Sequence, residues 1–298
     1  MKKYTLQQFN KEYSDDNACL DKLYKLRFTD LVCPKCNSEK EFTRVNDRRS
    51  YQCPCCGFQV YPTAGTIFHK STTPLKVWFH AIFMQTTTRN GVSAKELERT
   101  FDICYKTALR MSHQIKILLS NNTYGQLSGI VEIDECFIGG KARHSGNTYK
   151  KGNMKEQKAK GTYKIPKKTP VLGILERDGQ IIARVVEDTK METLHPVILA
   201  NVEFGSNLMT DEYHAYKSLG SIYNHKTVKH SAGEYVRGDV YTNGIESFWS
   251  QLKRTIKGTH VQVTQRHLQK YVDEVIFRYE NRNNQDQMFN LALARVAS

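Results

Sequence analysis

Four cysteines near the amino terminus limit what the first part of this 298-residue chain can form. They occur as two CxxC pairs, Cys33 with Cys36 and Cys53 with Cys56, and sixteen residues separate the pairs. Each CxxC turn directs two sulfurs at one point, so two such turns on neighbouring hairpins complete the tetrahedral S4 shell that Zn²⁺ prefers. The spacing therefore predicts a zinc ribbon that holds one structural zinc ion.

The hydropathy of the chain gives no indication of export. MKKYTLQQFN at the start has two lysines with no apolar run behind them, and the most hydrophobic stretch, VWFHAIFM at 77–84, is too short to span a bilayer. We therefore expect a soluble cytoplasmic protein without a membrane partner. A secreted disulfide framework, the main alternative for the cysteine pairs, does not fit such a chain.

Positive charge is concentrated in one segment. The formal net charge is +14, and residues 141–168 contain ten Lys or Arg residues against one acid, Glu156. A surface with this bias attracts polyanions, of which nucleic acid is the commonest inside a cell. A solvated basic loop without a partner is the alternative, and composition alone leaves both open.

Helix-start signals predict three helices between the cysteines and residue 125. Thr73 and Pro74 are typical of an N-cap and a first helical residue, and Ser93 with Glu96 forms a capping box for a second helix. After a link at 101–103, a third helix is predicted over residues 104–119.

The second and third of these helices match a DNA-binding helix-turn-helix. The third helix would expose Tyr105, Lys106 and Arg110 to DNA. The link lacks the glycine that such turns usually contain. A plain helical bundle that packs on the next domain is the alternative.

The second half of the chain alternates between strand and helix patterns. The predicted order is three strands (130–138, 170–177, 181–188), a helix (191–202), a strand (207–211), a helix (213–219), a strand (226–230) and a helix that begins near Asn243. This order is that of a ribonuclease-H-like α/β fold, a mixed five-stranded sheet with flanking helices.

Three carboxylates, Glu132, Asp134 and Glu135, lie in the first of these strands, among residues typical of a core. Burying an unpaired carboxylate costs several kcal/mol of folding free energy, or the group becomes neutral, so the presence of three acids in this strand requires an explanation. Asp211 ends the fourth predicted strand and Glu246 lies on the helix that follows. Because the first and fourth strands are neighbours in this fold, Asp134, Asp211 and Glu246 can converge.

Converging carboxylates repel one another unless a cation lies between them, and oxygen ligands suit Mg²⁺ or Mn²⁺. Two such ions about 4 Å apart can activate the attacking oxygen and stabilise the leaving oxygen of a phosphodiester. Lys253 lies two turns beyond Glu246 on the same helical face, where it can contact a phosphate. For any single acid, a surface or salt-bridged position is the alternative.

At these residues the whole chain resembles a DDE transposase of the zinc-ribbon type carried by bacterial insertion sequences. The shared motifs cover about residues 20–285 and are CPKC, CPCCG, EIDECFIGGK, LMTDEYHAY, NGIESFWSQLKRTIKGTH and HLQKYVDEVIFRYENR. The 34 residues between Asp211 and Glu246 are also close to the spacing found in that superfamily.

The resemblance implies roles for particular residues. Asp134, Asp211 and Glu246 would be the ligands of two Mg²⁺ or Mn²⁺ ions, and Lys253 would contact the phosphate; these four form the expected catalytic set. Relatives with Asn or His at the third position leave Asn243, one turn away on the same face, as an alternative to Glu246. We prefer Glu246, since a carboxylate holds a divalent cation more firmly than an amide.

The resemblance also implies partners, a location and a domain order. Double-stranded DNA would be bound as terminal inverted repeats and as target, by a homo-oligomer in the bacterial cytoplasm, associated with the nucleoid. Lys150, Lys151 and Arg254 are expected to contact DNA. The expected domains are a zinc ribbon (1–70), a helix-turn-helix segment (71–125) and a ribonuclease-H-like catalytic domain (126–298) with the basic insertion 141–168.

Two other functions stay open. A zinc-ribbon transcription regulator with an inactive domain would keep the DNA-binding elements, but intact acids at all three positions argue against it. A ribonuclease-H-like nuclease without strand transfer would use the same site chemistry, which cannot separate the two enzymes.

The basic insertion generates a direct prediction. Replacing Lys150, Lys151 and Lys155 by glutamine should weaken DNA binding and reduce the slope of log affinity against log salt by roughly one unit for each phosphate that is no longer neutralised. Filter binding over a salt series measures this slope. An unchanged slope would identify the insertion as a passive loop.

Overall fold

A computed structural model describes residues 4–120, 125–139, 168–228 and 236–296. The chain divides into two compact units, the first containing the described residues up to Ser120 and from Asn281 onward, and the second those from 125 to Glu280. Within the described ranges, no helix combines the length and apolar character needed to cross a membrane.

The first unit consists of a small three-stranded sheet and six helices in the part of the chain that is described. The elements are α1 (Leu6–Glu12), α2 (Asp16–Arg27), β1 (Thr43–Val45), β2 (Ser50–Gln52), β3 (Gln59–Val60), α3 (Leu75–Thr87), α4 (Ala94–Phe101), α5 (Tyr105–Leu119) and, after the second unit, a short 3₁₀ turn (Gln285–Gln287) and α9 (Met288–Ala294). The sheet is an antiparallel meander in which β2 lies between β1 and β3.

Helix α2 supports the zinc-binding segment along one face. The rings of Tyr24 and Tyr51 stack with centroids 3.9 Å apart, and the Tyr51 hydroxyl donates to Asp21. One turn beyond Tyr24, Arg27 Nη1 donates to the carbonyl oxygens of Pro62 and Ala64 at 2.7 Å. Because such a short segment buries little core of its own, these contacts fix its position within the unit.

Helix α3 is capped from another element. The sequence predicted Thr73 as its N-cap, but the helix begins at Leu75, with Pro74 in the cap position and no cap bond from a side chain of its own. Asp16 of α2 instead accepts from the amides of Leu75 and Lys76 at 3.0 and 2.9 Å. The predicted cap is therefore displaced by one residue, to a proline, which has no side chain that can cap. The carboxylate of Asp16, from a distant part of the sequence, accepts from the free amides instead.

The predicted pair of helices, α4 and α5, is present. Ser93 Oγ accepts from the Glu96 amide at 3.1 Å, as expected of an N-cap. The turn between the helices has no glycine, yet Asp102 adopts a left-handed conformation with φ of 49°. Aspartate tolerates this region better than most residues, so it takes the position that glycine usually fills.

The last helix packs in the first unit. Phe289 of α9 lies in edge or stacked contact with aromatic rings of α1, α3 and the segments beside α1, namely Tyr4, Phe9, Tyr13, Phe79 and Phe83. The sequence grouped this helix with the catalytic domain, because nothing in its pattern shows which core it completes. The other predicted domain boundaries remain predictions.

The second unit is built on a five-stranded mixed sheet with order β6–β5–β4–β7–β8. Its elements are β4 (Ile130–Ile138), β5 (Thr169–Glu176), β6 (Ile181–Val185), α6 (Met191–Asn201), β7 (Asn207–Thr210), a 3₁₀ helix (His214–Ser221), β8 (Asn224–Thr227), α7 (Asn243–Thr255), a π-helical turn (Ile256–His260) and α8 (Gln265–Glu280). The first three strands form an antiparallel meander, and β7 and β8 are parallel to β4. This confirms the predicted fold class.

Several predicted elements differ in detail; β8, for example, begins at Asn224 instead of residue 226. The segment predicted as a helix at 213–219 is a 3₁₀ helix, and β6 ends at Val185 instead of residue 188. The edge of β6 is covered by α8: Gln269 accepts from the Val185 amide and donates to the Ala183 carbonyl, and Glu280 accepts from the Ile181 amide. Side-chain bonds of this kind protect an edge strand from pairing with another chain.

The sheet separates two hydrophobic cores. One face packs against α6 and the 3₁₀ helix through residues such as Val131, Ile133 and Tyr216. The other packs against α7 and α8 through residues such as Cys136, Phe248 and Trp249. Because successive residues of a strand point to opposite faces, β4 supplies side chains to both cores.

Close packing of α7 on the sheet generates a stability prediction. A Cβ on Gly173 of β5 would lie 2.6 Å from Trp249 and 2.7 Å from Ile245. Gly173→Ala should therefore lower the free energy of unfolding by about 1–3 kcal/mol through overpacking. Gly220→Ala is the matched control, since a Cβ there meets only His225 at 3.9 Å. Equal effects of the two variants in chemical denaturation would contradict this packing.

Candidate functional site

The four predicted zinc ligands lie together. The sulfurs of Cys33, Cys36, Cys53 and Cys56 are all within 4.8 Å of one another, with Cys33–Cys56 and Cys36–Cys53 each 3.6 Å apart. Tetrahedral Zn–S bonds of about 2.3 Å place thiolates at nearly this separation, so the four residues fit a structural Zn²⁺. Cys55 is exposed and lies 3.3 Å from Ser38 Oγ, outside the cluster.

The two CxxC loops have matching backbone geometry. The Asn37 amide donates to the Cys33 carbonyl at 2.9 Å, and the Gly57 amide donates to the Cys53 carbonyl at 3.0 Å. Asn37 and Gly57 both have positive φ, 52° and 69°. Asparagine tolerates the left-handed region better than most residues, so Asn37 serves in the first loop as Gly57 does in the second.

Hydrogen bonds favour the thiolate form of Cys53 in this cluster. Burial acts to raise the pKa of Cys53, but hydrogen bonds from the amides of Cys55 and Cys56 and from the thiols of Cys36 and Cys33 outweigh it and lower the pKa to about 6. A thiolate is the form that binds zinc, so these hydrogen bonds favour the metal-binding form of Cys53. The pKa values of Cys36 and Cys56 are raised instead by hydrogen bonds with neighbouring cysteines.

The carboxylates of the second unit are brought together by strand register. Ile130 pairs with Asn207 and Glu132 with Met209 in the parallel ladder of β4 and β7. Extended by two residues, this register brings Asp134 level with Asp211. Both are half-buried, and Asp211 Oδ1 accepts from the Tyr213 amide at 2.9 Å, which fixes the carboxylate at the strand end.

Glu246 lies in the first turn of α7, above the same face of the sheet. It is half-buried, and Thr242 Oγ1 donates to its Oε1 at 3.3 Å. One turn further, Trp249 Nε1 donates to Asp134 Oδ2 at 3.0 Å. This tryptophan was not predicted as part of the site, although its three-residue step from Glu246 places it on the same side of the helix.

The three acids affect one another electrostatically. The pKa of Asp134 is raised to about 6, mainly by burial and in addition by the negative charges of Asp211 and Glu246, against hydrogen bonds from the Glu135 amide and Trp249. Like charges in a common site have this effect until a cation neutralises them. The oxygens are more widely spaced than the cysteine sulfurs, which form the only described group with ligand atoms within 4.8 Å. The donor set fits a hard divalent cation such as Mg²⁺ or Mn²⁺.

The other two carboxylates of β4 have different surroundings. Glu132 is 1% exposed and forms an ion pair with Arg177, with Nε and Oε1 2.9 Å apart. Glu135 points to the opposite face, beside Tyr216, where burial and the charges of Asp134 and Asp211 raise its pKa to about 7. Glu132 is thus paired with Arg177, Asp134 faces Asp211 and Glu246, and Glu135 is partly protonated near neutral pH.

Lys253 and Arg254 lie at the far end of α7. Both are exposed, and the ammonium of Lys253 is close enough to the Cys136 thiol to oppose the rise in its pKa that burial causes. Cys136 follows Asp134 by two residues on the same face of β4, so Lys253 lies on the side of the sheet that carries the acids.

The predicted DNA-contacting residues of α5 are at the surface. Tyr105, Lys106 and Arg110 are exposed, and Lys95 lies 4.7 Å from the Tyr105 ring centroid. Arg110 Nη2 donates to Ser71 Oγ at 3.2 Å and its guanidinium lies over Trp78, so its position is partly fixed. Lys150 and Lys151 lie outside the described residues.

Comparison with known proteins gives three matches. Residues 126–280 match the family model described as an ISXO2-like transposase domain, and residues 14–59 match one described as a transposase zinc-ribbon domain. A protein of Halobacterium salinarum, named as an uncharacterized protein in transposable element ISH50, is 28% identical over 252 residues, or 82% of this chain and 84% of the relative.

The zinc cluster generates a paired prediction. Cys53→Ser should lose the bound zinc and unfold the zinc-binding segment, because metal binding supplies on the order of 10 kcal/mol to modules of this kind. Cys55→Ser should keep one zinc per chain, since Cys55 is not a ligand. Metal analysis and thermal unfolding measure both effects; zinc loss from Cys55→Ser alone would mean that the register of the second pair is wrong.

Proposed function

Since this chain belongs to the ISXO2-like transposase domain family, we propose that it cleaves DNA strands at the ends of an insertion sequence and joins the freed 3′-hydroxyl ends to target DNA. The observation that supports this proposal is that Asp211, just beyond the end of β7, and Glu246, in α7, lie near enough to Asp134 of β4 for their charges to raise its pKa. The family indicates a transposase role, and the proposal adds the chemistry of strand cleavage and strand transfer.

Each residue of the site would have a distinct role. Asp134, Asp211 and Glu246 would hold two Mg²⁺ or Mn²⁺ ions, which supply Lewis-acid stabilisation to the attacking and leaving oxygens of the phosphodiester. Trp249 fixes one oxygen of Asp134 through its indole N–H. Lys253, exposed on the same side, would bind a phosphate next to the scissile bond.

Two transfers at phosphorus would follow in sequence. In the first, a water oxygen bonds to phosphorus at the element end and the 3′-oxygen leaves as a hydroxyl. In the second, this 3′-hydroxyl attacks a target phosphodiester and displaces a target 3′-oxygen. Both are in-line displacements that the same carboxylate set can serve, so a covalent protein intermediate is not needed.

DNA recognition would involve the first unit and the basic surface of the second. The zinc-binding segment and the α4–α5 pair, with Tyr105, Lys106 and Arg110 exposed, would recognise the terminal inverted repeats. Lys150, Lys151 and Arg254 would bind the phosphate backbone of repeats or target. Because two ends must be joined, the active form would be a homo-oligomer assembled on DNA in the bacterial cytoplasm.

A cleavage assay tests the proposal. Asp134→Asn should reduce Mn²⁺-dependent cleavage of terminal-repeat DNA by about 10²–10³-fold, since loss of one essential electrostatic group costs this much in other enzymes. Glu187→Gln, at an exposed acid of the same unit, is the matched control and should cleave normally. Cleavage without strand-transfer products would favour a plain nuclease, and a wild-type protein that binds but never cuts would favour a regulator.

The third ligand is tested separately. Glu246→Gln should abolish cleavage, whereas Asn243→Ala should retain it, because the half-buried carboxylate faces Asp134 and the amide is exposed. Equal folding of the two variants is checked by circular dichroism. The reverse pattern of activities would make Asn243 the ligand and refute the assignment.

A further inference from the structure

We infer that Glu132 and Arg177 are positioning residues that fix the start of α7, and with it Glu246, in the geometry needed for metal binding. The inference rests on the proposed function, in which Glu246 is a metal ligand. Neither Glu132 nor Arg177 is assigned a contact with DNA or metal. Their effect is exerted through the backbone of residues 239–245.

Glu132 bridges the sheet and the helix. Its Oε1 accepts from Arg177 Nε at 2.9 Å, and its Oε2 accepts from the Ile245 amide at 3.0 Å. The carboxylate is 1% exposed, so both bonds are made away from solvent. A charge-assisted bond of this kind is stronger and more directional than a neutral one.

Arg177 holds the segment that leads into the helix. Its Nη1 donates to the Asp239 carbonyl and its Nη2 to the Tyr241 carbonyl, each at 2.9 Å. The guanidinium also lies 3.6 Å from the centroid of the Tyr241 ring. With Nε bound to Glu132, a single planar group joins β4 to two carbonyls of this segment, a geometry that lysine cannot reproduce.

The beginning of α7 depends on this arrangement. Thr242 is its N-cap residue but makes no side-chain cap bond, and its hydroxyl is directed to Glu246. Glu132 therefore takes the place of a local cap, and its negative charge is favourable at the positive end of the helix. A Cβ on Gly244 would lie 2.9 Å from Glu132 Oε2, so glycine permits this close approach.

The connection to the site is short. Glu246 follows Ile245, whose amide is bound by Glu132, and Asp134 lies two residues from Glu132 on the same face of β4. The same strand thus supplies one expected ligand and the anchor for another. A small movement of this helix start would change the separation of Glu246 from Asp134 without changing either side chain.

A role in fold stability alone is the competing explanation, since breaking a buried ion pair leaves an uncompensated charge. The experiment therefore uses conservative variants. Arg177→Lys keeps the charge but loses the planar set of donors, and Glu132→Gln keeps an acceptor for the Ile245 amide but loses the charge. Arg184→Lys, at a half-buried arginine of β6 away from the site, is the matched control.

Two measurements use the full-length protein with its structural zinc bound and no other divalent metal added. Hydrogen exchange of residues 243–247 should become about tenfold faster in Arg177→Lys than in wild type or Arg184→Lys, with unchanged exchange elsewhere in α7. Mn²⁺ binding, followed by electron paramagnetic resonance, should weaken by about 10–100-fold, as is typical when residues that orient metal ligands are replaced.

Cleavage supplies the third measurement. Arg177→Lys and Glu132→Gln should need a correspondingly higher Mn²⁺ concentration for half-maximal cleavage, and saturating Mn²⁺ should restore most of the rate. Affinity for terminal-repeat DNA should stay within about twofold of wild type, because neither residue neutralises a phosphate. A purely structural defect would lower the rate equally at every Mn²⁺ concentration, in proportion to the loss of folded protein.

The outcomes separate the inference from the proposed function. If wild type cleaves, Asp134→Asn does not, and Arg177→Lys matches wild type in exchange and Mn²⁺ binding, the inference alone is overturned. Loss of cooperative unfolding in both conservative variants would also overturn it, by assigning the pair to the fold. If wild type binds no Mn²⁺ and cuts no DNA, the proposed function fails, and so does the metal part of the inference.

Discussion

The parallel pairing of β4 with β7 is the constraint on which the candidate site depends. The two strands come from positions far apart in the chain, and their register, extended by two residues beyond the Glu132–Met209 pair, brings Asp134 level with Asp211 at the end of the ladder. A shift of one residue would turn one of the two carboxylates to the other face. The apolar residues on both faces of β4 oppose such a shift, because it would exchange the residues of the two cores.

Close packing of α7 on the sheet provides the third carboxylate. Gly173 allows Trp249 and Ile245 to lie against β5, and Gly244 allows the helix start to approach Glu132. Trp249 is therefore near enough to bind Asp134, and Glu246 is near enough to raise the pKa of Asp134. Like charges held close together repel one another, and a divalent cation bound between them would remove this unfavourable interaction.

Much of this arrangement could be predicted from sequence, because its signals are local. Strand alternation indicated the order of the elements in the second unit, and CxxC spacing indicated the zinc cluster. The cap of α3 and the purpose of Glu132 could not be predicted, since Asp16 and Arg177 act across long sequence separations. The packing of α9 was missed for the same reason: an apolar helix pattern does not specify which core it joins.

Crystals of the full-length protein with terminal-repeat DNA and Mn²⁺ would test the central claim most directly, through anomalous scattering from manganese. We predict two manganese peaks about 4 Å apart, bound by the carboxylates of Asp134, Asp211 and Glu246. Peaks located elsewhere, or a site completed by Asn243 with the Glu246 carboxylate turned away, would contradict the account.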